Sequence, residues 1–583
     1  MLDWKSWWAV AGRECRRVLK WVVLAWAIAP FFSLAMAGSD GDYSGRRIGA
    51  VQVVFDGGQK ENAAYRDAVL KAFGAFSGDL YDPSRSDLML NQVRRLAFVK
   101  DASYQARLGG NGSLELVVDV ALSDVARPLD EVPIGVLRGR GWQDFPTLYA
   151  DDRSALLAKL ENKTMVFSNT HAFFGRPDVL TVGNPLAQAP SGSDGTDTWL
   201  ESSVEAGLYG LSALSDRISV FGGASYIVSG SWGPELFTDE TRAHGGVEDA
   251  YLGFVGRDTT DQGGLRVFSL LYGRKPFQVD NGMILRLASA NGGERAALQS
   301  NPRDAANPLA HAMFVYDRHK LEFFRLDPDE LEELDTGTVI NGVNYEGRVL
   351  PELRLGAMWL QVPKSRAAYF TPDTVYSRKG LRVADLRAAY EPAPGQSSLY
   401  ARAEIAHQSN ENFDMDAWGG YAEAGWQFRD IAWRPTLSYR YSKFTGDKPD
   451  TKTFERWDPL YAGGAGDEWV QGLNQYKVVQ TSNVIAHRFM ARLNPSPRWE
   501  LTPQFWLFKA DTLNNLGGAR ALSQLESYDL AKEINLTARY VANPKLIFVM
   551  SAAYTIPGTA IRRALNGDYQ NWFSASALMI ARF

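Results

Sequence analysis

The chain has 583 residues, 45% of them hydrophobic and 22% charged, with a formal net charge of -5 and a mean hydropathy of -0.24. That length exceeds what one small core organises, so at least two folded units are expected. Only the N-terminus carries a long apolar run, which excludes a helical membrane bundle needing about 20 apolar residues per span but leaves open a barrel, whose alternating strands average to neutral hydropathy.

A basic region (Lys5, Arg13, Arg16, Arg17, Lys20) precedes an apolar stretch, 22–37, that closes with Ala35-Met36-Ala37. This is the pattern of a cleaved secretion signal, residues 1–37; the alternative is a retained anchor, against which Pro30 interrupts the run. The leader holds three more basic than acidic residues, so its removal takes the net charge from -5 to -8, which does not suggest a nucleic-acid partner. It also removes Cys15, the one cysteine, and with it any disulfide, thiolate metal site or cysteine nucleophile.

Residues 48–55 read as a strand bounded by Gly57-Gly58. Tyr65, Ala68, Val69, Ala72 and Phe73 recur at helical spacing, and a second helix is expected to start at Asp82 as N-cap with Pro83 at its first position and to end near Phe98. Strands over 101–108 and 114–122 follow, joined by Gly109-Gly110-Asn111-Gly112. The order strand, helix, helix, strand, strand over 46–124 resembles a POTRA domain, a periplasmic module of proteins that move or insert polypeptides; the alternative is an unrelated small α+β domain. The resemblance implies exposed strand edges for β-augmentation and hence a periplasmic partner.

Residues 125–198 read as a connector, with a short helix over 152–162, either a plug or a plain link, and a first strand over 163–174. From 199 to 583, strand-like segments of about ten residues alternate in polarity. The clearest are 247–257, 265–274, 319–326, 353–361, 383–390, 399–408, 421–429, 433–444, 484–493, 499–509, 533–540, 545–554 and 572–583. With weaker candidates the expected fold is mainly β, a transmembrane antiparallel barrel of about 16–18 strands behind the small α+β domain. Short connections (391–395, 429–432, 494–497, 541–544) alternate with long ones (445–483, 511–528, 556–570), the usual asymmetry of periplasmic turns and outer loops; this regularity fails between 275 and 326. The last segment alternates through Phe573, Ala575, Ala577, Met579 and Ala581 to Phe583, a terminal aromatic of the kind the barrel assembly machinery is thought to read.

Alternation sends Leu437, Tyr439 and Tyr441 to lipid, and sends Arg354, Arg387, Arg402, Arg440, Arg488, Arg492 and Arg539 inward with the acids Glu352, Asp385, Glu404, Glu423, Glu500 and Glu533. A lumen so polar reads as a water-filled channel. Its arginines are either a ladder for the carboxylates of a passing polymer or a mixed-charge network bracing the wall.

The run SYRYSKFTGDKPDTKTFERWDPLYAGG carries Thr445, Gly446, Asp447, Phe454, Asp458, Pro459, Leu460 and Tyr461. With the following strands and with Gly273-Arg274 and Gly282, it is similar to the alginate export family of outer-membrane porins. The resemblance implies export of an exopolysaccharide from periplasm to exterior through a barrel over 199–583, with lipid and polysaccharide as partners. A fused POTRA-like domain departs from the simple form of that porin. The competing readings are a POTRA-barrel polypeptide transporter of the two-partner secretion or barrel-assembly type, or a general solute porin. Against the transporter, the one Arg-Gly repeat, at 138–142, precedes the barrel. An enzyme is not expected: six histidines are scattered, with no nucleophile elbow or His-Glu-x-x-His helix. No cofactor or metal site is expected either, since Asp194 and Asp197 supply too few oxygens for calcium.

Overall fold

The computed structural model describes most of residues 43–582. Residues 1–42, 57–62, 109–113, 123–145, 173–195, 234–239, 260–264, 391–397, 464–468, 515–523 and a scatter of shorter stretches lie outside the described residues. The expected leader, Asp82 with Pro83, the 109–112 turn, the 138–142 repeat, Asp194 and Phe583 fall among them.

The N-terminal unit consists of β1 (Ile48–Asp56), α1 (Ala63–Phe73), β2 (Val99–Leu108) and β3 (Leu114–Leu122). Ser86, Met89, Leu90, Val93 and Arg94 are helical as well. The sheet order is β1-β3-β2, with β1 parallel and β2 antiparallel to β3. Because β3 lies in the middle, its near-continuous apolar run buries Leu116, Val117, Val118 and Val120. The helices close the core with Val69, Phe73, Leu90 and Val93.

The rest of the chain forms one closed barrel. Its wall strands are β5 (Ser154–Thr170), β6 (Thr196–Ala213), β7 (Ile218–Trp232), β8 (Arg242–Thr259), β9 (Leu265–Pro276), β10 (Ala305–Tyr316), β11 (His319–Leu326), β12 (Val339–Arg348) and β13 (Leu353–Lys364). They continue, after the small hairpin β14 (Ala368–Phe370) and β15 (Val375–Ser377), as β16 (Leu381–Tyr390), β17 (Ser398–Asn410), β18 (Ala417–Gln427), β19 (Thr436–Phe444), β20 (Val484–Ser496), β21 (Trp499–Lys509), β22 (Asp529–Asn543), β23 (Leu546–Pro557) and β24 (Trp572–Arg582). Eighteen antiparallel strands thus make the wall, and β24 closes it against β5 from Phe573↔Thr170 to Arg582↔Glu161. Below that last pair the short β4 (Thr147–Ala150) takes over as partner of β5.

Closure removes every open edge, so each wall strand satisfies its backbone against two neighbours, the condition for crossing lipid with strands. The outward positions carry the apolar band: Leu208, Leu252, Tyr272, Leu386, Ile405, Leu437, Tyr439 and Leu536 are all exposed. Three of the four strands β5–β8 run 17 or 18 residues, whereas β11 has 8 and β19 has 9. A tilted span needs about 9–11, so the wall stands taller on the β5–β8 side. Arg434, in the turn before β19, forms an ion pair of 2.6 Å with Asp79 of the small domain. The short turn before β19 and that domain therefore share one end of the barrel.

Two expectations need correction. Residues 152–162 are not a helix. From Ser154 they are the first half of β5, with Leu156 and Leu160 outward and Leu157, Lys159 and Glu161 inward. The Ala/Leu/Lys/Glu composition favours a helix locally, but 17 residues of pairing with β6 outweigh that preference. The barrel accordingly begins at Ser154 rather than at 199. The irregularity at 275–326 also resolves: β9 and β10 are joined by a long segment, 277–304, whereas β10 and β11 form a hairpin through Asp317-Arg318.

Candidate functional site: the loop-packed lumen

Two outer connections, 277–304 and 445–483, leave the rim and fold down inside the wall. Each is fastened by buried wall glutamates that accept backbone N–H groups. Glu533 on β22 accepts from Leu473 (2.6 Å), Gln475 (2.8 Å) and Asn474, and from the Thr555 hydroxyl at 3.0 Å. Successive amides curling round a carboxylate form an anion nest. Its geometry requires Gly472, at φ +79°, where a Cβ would lie 2.7 Å from the Glu533 carboxylate. Glu201 on β6 receives the amides of Gln299 and Ser300 and the Trp199 indole N–H; Glu248 on β8 receives those of Asp304 and Ala305. All three glutamates are fully buried, so the charge-assisted bonds compensate for lost hydration.

The two loops also grip one another. Tyr461 and Leu285 pair as a parallel bridge, with the Arg286 amide donating to the Tyr461 carbonyl (2.7 Å) and the Gly463 amide to that of Gly282 (2.8 Å). The 445–483 connection, expected as an outer loop, therefore reaches the lumen. The reason is apolar: Trp457, Trp469 and Val478 pack with Phe444, Phe508, Met283 and Ile284 in one core. This corrects the expectation of an entirely water-filled lumen.

The motif residues build the bend that turns the loop inward. The Thr445 hydroxyl donates to the Glu455 carbonyl and receives the Trp418 amide. A side chain at Gly446 would strike Asn483 and Thr512, at 2.1 and 2.5 Å. Asp447 accepts the Glu455 amide, and burial raises its carboxyl above the usual aspartate range. Phe454 stacks on Tyr369 of the β14–β15 hairpin (5.1 Å). Asp458 takes a two-point contact from Arg378 (2.8 and 3.1 Å), the Tyr369 hydroxyl and the Leu460 amide. The Pro459 carbonyl accepts the Ala462 amide, Leu460 adopts φ +49°, and the Tyr461 hydroxyl donates to Glu330.

The arginines singled out by sequence alternation occupy two environments. Arg402, Glu423, Arg440, Arg488, Trp506 and Glu533 stand directly opposite one another on successive strands β17–β22. Arg488 pairs with Glu423 at 2.6 Å, and Arg440 lies over Trp469 (4.6 Å), Trp506 and Tyr421. Arg387 is held by Asp385 (2.6 Å) and Asn344, beside Glu404, and Arg354 reaches Asp280 of the first loop at 2.6 Å. Nearer the periplasm, Arg492 has only a 3.8 Å contact with Glu500 and is half exposed, and Arg539, opposite Glu500, is exposed. Glu352 lies in the turn before β13 rather than on the wall. The upper arginines are thus engaged with acids and rings, a bracing geometry.

Between both loops and the β23–β24–β5 wall a gap of about 200 Å³ remains. It is lined by Lys163, Arg286 and Lys477, by the hydroxyl residues Ser300, Ser551, Ser574 and Ser576, by Phe167, and by apolar side chains such as Met165, Leu578 and Ile580. None of the sequence-selected arginines lines it. Lys477 sits in the short α2 (Tyr476–Val479), 4.7 Å from the Phe167 ring and 5.7 Å from that of Trp572. Burial pushes its ammonium down to about 8, against the pull of Glu533 and Glu201. Lys163 was legible in principle, since it alternates inward with Met165 and Phe167. Lys477 and Arg286 come from irregular loops without a periodic signal. Among the described residues no cluster of His, Cys, Asp and Glu is arranged to hold a metal.

Comparison with solved structures finds barrels at low identity. The outer membrane protein OprD of Pseudomonas aeruginosa is 14% identical, with a TM-score of 0.44 over 73% of this chain and 94% of that one. OpdK of the same organism is 11% identical, with a TM-score of 0.43 over 73% and 98%. No curated protein matches in sequence. The family model described as alginate export matches residues 249–573, more than half of the chain. Together with the closed eighteen-strand wall and its apolar outer band, that match places the protein in the outer membrane, and the chain belongs to the alginate export family.

Proposed function

We propose that the protein is a channel that exports an exopolysaccharide from the periplasm to the cell exterior, and that the polymer passes through the gap beside the two loops. The composition of that gap carries the reading: three cationic side chains, four serines and an aromatic ring suit a hydroxyl-rich, anionic chain that needs hydrogen bonds, charge balance and a stacking face. The braced arginines above it support the wall and loops and are not the first contacts of the polymer. The small domain acts as a POTRA-like docking module, its β1 and β2 edges offering backbone to a periplasmic partner.

The test is conductance of the purified protein in planar bilayers, titrated with uronate polymers, neutral glucans and an unfolded polypeptide. Block by the acidic polymer, weakened by Lys163→Gln and Lys477→Gln, is expected. Peptide-dependent gating with no block by any polysaccharide would replace this reading by the polypeptide transporter, and indifference to all three by a general porin.

A further inference from the structure

The outer end of the wall differs from arc to arc on its outward face. On β5 and β6 the last outward positions are Ser168, Thr170, Thr196 and Thr198, paired hydroxyl to hydroxyl at 3.0 and 2.8 Å. On β19–β22 the outward face near the rim carries three lysines, together with Ile485 and Asp529. Lys443 stands opposite Ile485, which stands opposite Lys509, and Lys532 stands opposite Leu507, two residues below Lys509. At a strand spacing of about 4.8 Å the three side chains spring from a patch about 15 Å across. All three are exposed. Directly beneath them on the same outward face lie Tyr439, Tyr441, Phe489, Phe505 and Ile534, each more than one-third exposed.

Above the row, the helix α3 (Thr559–Ala564) is rooted on β22 through the Gly558 amide to the Leu530 carbonyl and the Thr559 amide to Asp529, and it presents Arg562 and Arg563. Beside Lys443 a cleft of about 650 Å³ opens between residues 445–455 and residues 511–514, with Trp418 and Tyr528 among its walls and Asn514 and Gln524 as polar lining. Three of the four acids of the cleft have basic partners: Asp511 meets Lys443 at 2.9 Å, Glu455 meets Lys448 at 2.5 Å and Asp416 meets His407 at 2.9 Å, while Asp450 is the fourth. Lys443 keeps nearly half of its side chain exposed beside Asp511, and Lys509 and Lys532 project outward on β21 and β22.

A lysine on the lipid side is costly within hydrocarbon, so the row marks headgroup level, where the ammonium reaches polar groups. Basic clusters at that level recognise phosphorylated lipids. We propose that this arc is a binding site for a phosphorylated glycolipid of the outer leaflet. Its phosphates lie on Lys443, Lys509 and Lys532, its sugars enter the cleft against Trp418 and Tyr528, and its acyl chains run down Tyr441, Phe505 and Ile534. The hydroxyl-lined arc of β5 and β6 has no such affinity.

Native mass spectrometry of the full chain in non-ionic detergent tests this, with diphosphorylated lipid A, its dephosphorylated form and phosphatidylglycerol as probes and inorganic phosphate as competitor. One retained diphosphorylated lipid is expected, bound about a hundredfold more weakly by K443Q/K509Q/K532Q, since each lysine near an anionic surface is worth roughly fivefold. The corresponding triple arginine variant should keep the lipid, with heat-modifiable gel mobility reporting that both variants fold. Equal retention of the dephosphorylated lipid by the unaltered protein would overturn the proposal without recourse to any variant. Equal retention of phosphatidylglycerol would overturn the glycolipid assignment, and displacement by millimolar phosphate would show that a free anion suffices.

Discussion

The upper and lower halves of the β17–β22 wall carry the same side-chain alphabet and treat it differently. Arg488 is 7% exposed and bound to Glu423 at 2.6 Å, whereas Arg492, four residues along the same strand, is half exposed and 3.8 Å from Glu500. Strand geometry is common to both. The difference is the 445–483 loop, which lays Trp469 over the upper row and leaves the lower one to water. Burial in this lumen is thus conferred by the loops, and an inward position on the wall does not by itself decide whether a charge is structural.

Changes at the fastenings should erase the contrast. The largest effect is expected from Glu533→Ala, which removes three amide bonds to a carboxylate at about 1.5–3 kcal/mol each. Release of the 445–483 loop should appear as raised single-channel conductance, and an unaltered current would mean that the loop is held elsewhere. Next, Arg488→Ala strands Glu423 in the packed half and should cost about 3–5 kcal/mol in thermal unfolding followed by gel mobility.

A smaller effect is expected from pH. Lys477 titrates near 8 with the loop docked and near 10.4 when free, so docking carries the cost of a buried charge below pH 8 and sheds it as pH rises toward 10.4. That difference is worth about 3 kcal/mol. Conductance should therefore fall between pH 8 and 10 in the unaltered protein and stay flat in Lys477→Met; a rise would reverse the sign of this account. Smallest of all, Arg492→Ala in the open half should change stability by only about 0–1 kcal/mol. A loss comparable to that of Arg488→Ala would remove the distinction between the halves.

The wall was largely legible. Strands 319–326 and 499–509 coincide with β11 and β21, and the face assignment of Leu437, Tyr439, Arg440 and Tyr441 holds, because period-two alternation is a local signal that a lipid-bounded barrel cannot violate cheaply. The family resemblance, drawn from Thr445 through Tyr461, was legible too, although those residues turned out to shape a bend. The lumen was not. The packing of Trp457, Trp469 and Val478 under the rim, and the meeting of Tyr461 with Leu285, depend on contacts between segments far apart in sequence, which no periodicity announces. For the same reason the gap residues Arg286 and Lys477 were missed while the better-patterned arginines were chosen. The helix expected over 152–162 failed because composition spoke for the isolated segment and pairing decided for the barrel.

The glutamate fastenings read backbone rather than side chains. Residues 299–300 and 473 are held through their amides, so the identities there are free to change while the loops stay docked, proline excepted, since it has no amide hydrogen to offer; Asn474 is different, because its buried side chain also bonds Thr555 and Ser574. Selection can then retune the chemistry facing the passage without rebuilding the scaffold that supports it. Relatives with unlike lumen chemistry are expected to share the wall glutamates and the glycine at position 472, and to differ in the residues that these hold in place.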